Sequence, residues 1–156
     1  MLDSVESVCF FYYEDTDKRL TKPFAISHKG ALYFQIAAIL SNRNKADKSQ
    51  TSNTPNTYSK VLMGGNNFLY TEVELANAWA QGTGYGIGGV AGGIMAANAI
   101  KGKGVVWDIQ NSEFNIFKNC KDYNIFIADK LIDGTQNCKN NQPDMIAVRE
   151  AIYKIK

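Results

Sequence analysis

Between Glu74 and Lys101 the chain runs from Leu75 to Ile100 without a single charge and is crowded with glycine, and this stretch constrains the fold more than any other feature. It reaches the length of about 20 residues that a helix needs to cross a bilayer. Gly84, Gly88 and Gly92 stand four apart, with Ala80 before them and Ala96 after, so a helix would carry one continuous stripe of small residues. Gly89, Gly93 and Ala97 would form a second. Such spacing lets two helix backbones approach closely. Against a free-standing helix, each glycine costs about 1 kcal/mol relative to alanine in water, and seven lie between Gly82 and Gly93. Asn77, Gln81, Thr83 and Asn98 would also need partners inside hydrocarbon. Two outcomes are open: a tightly packed glycine-rich helix or loop within a soluble fold, or a segment that inserts into a membrane.

The stripe resembles a glycine zipper, a packing motif of many membrane-active and secreted bacterial proteins, and it carries no catalytic residue with it. A third reading takes Gly84-Tyr-Gly86-Ile-Gly-Gly89 as G-x-G-x-x-G, with Asp108 at the end of a following strand to hold a ribose hydroxyl. The residues before it, Leu75-Ala-Asn-Ala-Trp-Ala-Gln, look helical, so the first strand of a dinucleotide site is missing and no cofactor is expected. Trp79, Tyr85 and Trp107, on or beside the segment, either line a cleft or fill the gaps that small neighbours leave.

The remaining sequence is that of one globular α+β domain over 1–156. Charged residues make up 21% and the hydrophobic set 45%, which argues against disorder and against a polytopic membrane protein. The net charge of +2 is spread, with no basic run, and gives no electrostatic case for nucleic acid. No secretory signal is visible in Met1-Leu-Asp-Ser-Val-Glu. Cys9, Cys120 and Cys138 contain no Cys-x-x-Cys pair and His28 is the lone histidine, so no metal site is expected. Cys120 and Cys138 share the setting Asn-Cys-Lys and are candidates for a disulfide. Such a bridge would imply an oxidising compartment, extracellular or periplasmic.

Along the chain, Val5 to Tyr13 is expected as a strand entering a hairpin, with Leu20 to Ile26 as an edge return arm because it holds Pro23. Ala31 to Leu40 is expected as a buried helix, Ser41 to Ser59 as a mobile loop, and Val61-Leu-Met as a short strand. Thr71-Glu-Val-Glu74 has the capping-box pattern and predicts a helix to about Gln81. Val105 to Gln110, Glu113 to Asn119 and Tyr123 to Ala128 are expected as an antiparallel meander. Pro143 at a first helical position, with Met145, Val148, Ile152 and Ile155 at steps of three and four, predicts a C-terminal amphipathic helix.

Catalytic constellations are few. Cys9 and His28 are the candidate nucleophile and base, with Asp108 a third candidate, although Cys9 fits a strand core and His28 a polar turn. Paired carboxylates at Glu14/Asp15, Glu72/Glu74 and Asp129/Asp133 each fit a turn or a helix start. The expected function is therefore non-enzymatic: an interaction protein, of the type of a secreted or delivered bacterial effector or its cognate binding protein. It would meet a protein partner or itself through Gly84, Gly88 and Gly92. A pore-forming type of protein inserting 75–100 is the second expectation, and a small enzyme of unknown chemistry the third.

Overall fold

A computed structural model describes residues 8–47, 49–77 and 100–156, and within them the chain is α+β with antiparallel sheets. The elements in order are β1 (Val8–Cys9), β2 (Ala25–His28), β3 (Ala31–Gln35), α1 (Ile36–Ser41), a 3-10 turn (Lys45–Asp47), β4 (Gln50–Thr51) and β5 (Tyr58–Lys60). They continue with β6 (Met63–Gly64), β7 (Phe68–Asn77), β8 (Ile100–Asp108), β9 (Glu113–Ile116), α2 (Cys120–Ile127) and α3 (Met145–Ile155). One sheet has the order β1-β5-β3-β2; the other runs β4-β7-β8-β9, with β6 also paired to β7.

The second sheet is central because both its faces are covered. Side chains of β7 alternate, as strand geometry requires. Phe68 and Tyr70 join Val106, Phe117, Tyr123, Phe126, Val148 and Ile152 under α2 and α3. Leu69, Val73 and Leu75 join Val105, Phe114, Phe34, Ile36 and Ile39 against the first sheet and α1. Each fully buried Phe, Leu or Ile is worth about 1.5–3 kcal/mol relative to exposure, so these two apolar layers fix the three-layer stack.

Several expectations change. Thr71 to Asn77 is strand, not helix. The capping box is unused: the Thr71 hydroxyl donates to Lys60 O (2.7 Å) and meets Ser59 Oγ, while Glu72 turns to Arg149. Period-two burial of Val73 and Leu75 prevails over the local cap. Ala31 to Leu40 divides at Gln35 into β3 and α1, since Ala31–Gln35 pairs with both β2 and β5. Val8–Cys9 pairs with β5, and its hairpin with the return arm is confined to the bridge Tyr12↔Arg19. β2 is an edge strand, but it starts at Ala25, after Pro23, and pairs with β3 instead of the first strand. It returns to β3 through Lys29 and Gly30, both at positive φ (49° and 76°), the mirror-image turn that matches strand twist.

The range 41–59, expected as a mobile loop, contains β4 and β5 and buries Asp47, Gln50, Thr57, Tyr58 and Ser59. Its polar side chains are held by partners, among them Asp47 Oδ1 to Lys118 Nζ (2.8 Å) and Thr57 Oγ1 to Thr54 O (2.6 Å). The meander consists of β7, β8 and β9, and the segment expected as its last strand is α2. Asn119 caps that helix by accepting the Asp122 amide (2.9 Å). The C-terminal helix forms as expected, but with Asp144 as its cap and Met145 as its first residue, so Pro143 precedes the cap, two positions before the helix starts. Cys120 and Cys138 are joined in a disulfide with Cα atoms 6.1 Å apart, and Cys9 is free.

Candidate functional site

The central pair β7 and β8 is where the glycine segment leaves and rejoins the described fold. Their register runs from Phe68↔Asp108 to Ala76↔Ile100. Ala76 also pairs with Thr51 of β4, and Asn77 with Gln50, so the root of the excursion is three strands wide. Polar groups lock it: Lys103 is buried, and its Nζ donates to Gln50 Oε1 (2.5 Å). Arg43 Nη1 donates to Gln50 O (3.2 Å), and Asn77 Nδ2 to Ser49 Oγ (3.2 Å). Burying an ammonium is costly unless it is hydrogen-bonded, and the Gln50 contact ties Lys103 to β4.

This anchoring sets a geometric condition. Paired strands lie about 4.8 Å apart, whereas a single helical crossing separates its ends by about 30 Å. A single span by 75–100 would therefore require Leu75 and Ala76, both buried, to leave β7. Among the described residues no helix is long and apolar enough to cross a membrane. The same register bears on the dinucleotide reading. A strand does precede the glycines, contrary to expectation, but β7 and β8 are antiparallel, whereas that site needs a parallel βαβ unit.

Gly84, Gly88, Gly92, Trp79 and Tyr85 lie outside the described residues. Trp107 packs between the two sheets, its ring 4.6 Å from Phe114 and 5.3 Å from Phe24 by centroid, and fills core space at the sheet margin. Asp108 is buried and spends both oxygens on Asn111, accepting its amide (3.0 Å) and its Nδ2 (2.7 Å), which secures the β8–β9 turn. Cys9 and His28 sit on the two outer strands of the first sheet, β1 and β2. Three inter-strand steps of about 4.8 Å separate those strands, so the fold does not bring the two into one site. His28 meets the Phe11 ring edge-on instead (5.7 Å).

Glu72 accepts from Arg149 Nε (2.7 Å) and Nη2 (2.6 Å) and from the Tyr70 hydroxyl (2.8 Å), tying β7 to α3. Burial, then the charge of Glu72, pushes the Tyr70 hydroxyl far above the ordinary tyrosine range. Glu74 is exposed. A polar cleft of about 360 Å³ opens beside Asn67, Asp108, Asn111, Asp129 and Lys130, where the Asp108 carboxylate is already engaged. Among the described residues no group of His, Cys, Asp and Glu is placed to hold a metal ion. No family model, curated protein or solved structure matches the chain.

The root residues Gln50 and Lys103 escaped sequence reasoning because β4 lies within a stretch of loop-like composition. The available signal was Lys101-Gly-Lys-Gly: its glycines look like breakers yet sit inside β8, and Gly104 lies where a Cβ would fall 2.8 Å from the Phe117 ring.

Proposed function

We propose that this is a non-enzymatic interaction protein whose three-layer stack serves as a rigid mount for the charge-free segment 78–99, presented to a protein partner or to a second copy of the chain. The observation that carries this reading is the anchoring of the chain on either side of that segment on adjacent strands paired with each other, with Ala76 opposite Ile100. Gly84, Gly88 and Gly92 at four-residue spacing would give a helix a face for close backbone contact. The Cys120–Cys138 disulfide supports a working environment outside the reducing cytosol, as for a secreted effector or its cognate binding protein.

The test compares the native chain with two variants, one carrying leucine at Gly84, Gly88 and Gly92, the other with 78–99 replaced by Asn-Gly. Light scattering after gel filtration reads self-association, and flotation with anionic phospholipid vesicles reads membrane binding. Self-association lost in both variants, with circular dichroism unchanged in the replacement variant, is the expected result. A chain that stays monomeric and floats with vesicles through 78–99 would replace this reading with the membrane-active one. A chain that does neither, and whose replacement variant unfolds, would make the segment part of the core.

A further inference from the structure

The polar cleft stands at the end of β7 and β8 where Phe68 pairs with Asp108, the opposite end from the root of segment 78–99. Three turns build it. The β6–β7 turn brings Asn66 and Asn67, the β8–β9 turn brings Gln110 and Asn111, and Asp129 and Lys130 follow α2. Its walls are tied to the fold: Ile109 N donates to Asn67 O (3.1 Å), Gly65 N to Phe68 O (3.1 Å), and Asn67 Nδ2 to Ile155 O (3.2 Å). The space between them, about 360 Å³, falls in the range of small-ligand sites, roughly 300–1,000 Å³.

Hydrogen-bonding capacity in the cleft is unspent. Asp108 is 7% exposed, and among the described residues no lysine, arginine or histidine pairs with it. An ionised carboxylate offers about four acceptor positions, and Asn111 fills two of them. A buried charge is costly unless it is paired and fully hydrogen-bonded, so Asp108 has places for further donors. The side chains of Asn66 and Gln110 are exposed and make no hydrogen bond among the described residues, and Asn111 uses its Nδ2 on Asp108 and keeps Oδ1 open. Asp129 and Lys130 neutralise each other (2.8 Å), with the Lys130 ammonium also over the Phe126 ring (4.5 Å), so the uncompensated charge in the cleft is the negative one of Asp108. That charge repels phosphates and carboxylates.

We propose that this cleft binds the hexopyranose ring of an uncharged sugar. Neighbouring hydroxyls donate to the open positions of Asp108. The carboxamides of Asn66 and Gln110 each donate and accept, as a hydroxyl does, and Asn111 Oδ1 accepts. Phe68 and Ile109 supply apolar surface for the C–H groups of the ring. An ammonium ligand would pair with Asp108 and leave the carboxamides idle, whereas a sugar uses both.

The probes are glucose, galactose and mannose, each as the free sugar and as its methyl glycoside, titrated into the isotope-labelled full chain and followed by amide NMR. Saturable binding of at least one, in the millimolar range, is expected, with shifts confined to 66–68, 108–111 and 129–130 and to the side-chain amides of Asn66 and Gln110. Glycosides that bind as well as the free sugars point to a unit within a glycan; binding of free sugars alone points to a free hexose. Asn66→Ala and Gln110→Ala break no hydrogen bond of the described fold, so each should leave the rest of the spectrum in place and weaken binding about 3- to 10-fold. No saturation by any of these sugars, saturating shifts elsewhere in the chain, or undiminished affinity in either variant would overturn the proposal. Methylammonium chloride is titrated in parallel; if it saturates at the cleft and no sugar does, Asp108 serves a cation and the sugar site is refuted.

Discussion

Two glycines on one face of β8 should respond to alanine with opposite signs. Gly104 stands opposite Glu72 under the helices, and an added Cβ would fall 2.8 Å from Phe117 Cδ2 and 3.1 Å from the Tyr70 hydroxyl oxygen. Neither neighbour has room to yield: Phe117 is 2% and Tyr70 0% exposed, and the Tyr70 hydroxyl is held by Glu72. Overpacking of this kind costs about 1–3 kcal/mol. For a chain of this size each kcal/mol moves the melting temperature by roughly 2–4 °C, so Gly104→Ala should lower it by about 2–12 °C. Gly102, two residues earlier, meets nothing within 4 Å, and its φ is not positive. Gly102→Ala therefore adds no clash and removes the backbone entropy of glycine, a gain of roughly 0.5–1 kcal/mol. Differential scanning calorimetry of the two variants and the parent decides the matter. If Gly104→Ala melts with the parent, or Gly102→Ala melts several degrees below it, the packing described for Tyr70 and Phe117 is wrong.

Replacing both Cys120 and Cys138 by serine should lower stability by about 3 kcal/mol on the loop-entropy model, for a sequence separation of 18, in urea titrations of non-reduced protein. Asp47→Asn should destabilise by about 1–2 kcal/mol by equilibrium denaturation, because it removes the carboxylate charge that pairs with Lys118 at 2.8 Å from a buried position. Burial raises the hydroxyls of Tyr58, Tyr70 and Tyr123 above the usual tyrosine value of 10.0. Their folded pKa values exceed the unfolded ones, so the stability they contribute is complete below pH 10 and is lost as pH climbs beyond it. Tyrosinate absorbance should show these groups ionising together with alkaline unfolding; ionisation of all eight tyrosines near pH 10 in folded protein would contradict their burial.

Where local pattern and tertiary packing agreed, sequence reasoning reached the fold. The three- and four-residue spacing of Met145, Val148, Ile152 and Ile155 marked α3, and the polar setting of two cysteines marked the disulfide. Where they competed, the local pattern misled. Thr71-Glu-Val-Glu74 satisfies both a capping box and the alternation of a strand, and only the neighbours Ser59, Lys60 and Arg149 decide between them. Tyr123-Asn-Ile-Phe-Ile is as apolar as a strand, yet the Asn119 cap and the crosslink at Cys120 start a helix. Ser41 to Ser59 has a loop's composition because its buried members are polar and bonded, a pattern invisible to hydrophobic periodicity. Of the candidate site, the lack of charge in 75–100 was legible. The polar root was not, since Gln50 and Lys103 are 53 residues apart in the chain.

The pairing of Ala76 with Ile100 also decides where this protein tolerates changes in length. Residues added to or removed from 78–99 leave both anchor pairs, and every pair below them, in register. A single residue inserted between Asp108 and Glu113 does the opposite, because it sends Phe114 and Ile116 to the wrong side of the sheet. A change of length at this one place therefore leaves the register of the described strands beneath it unchanged.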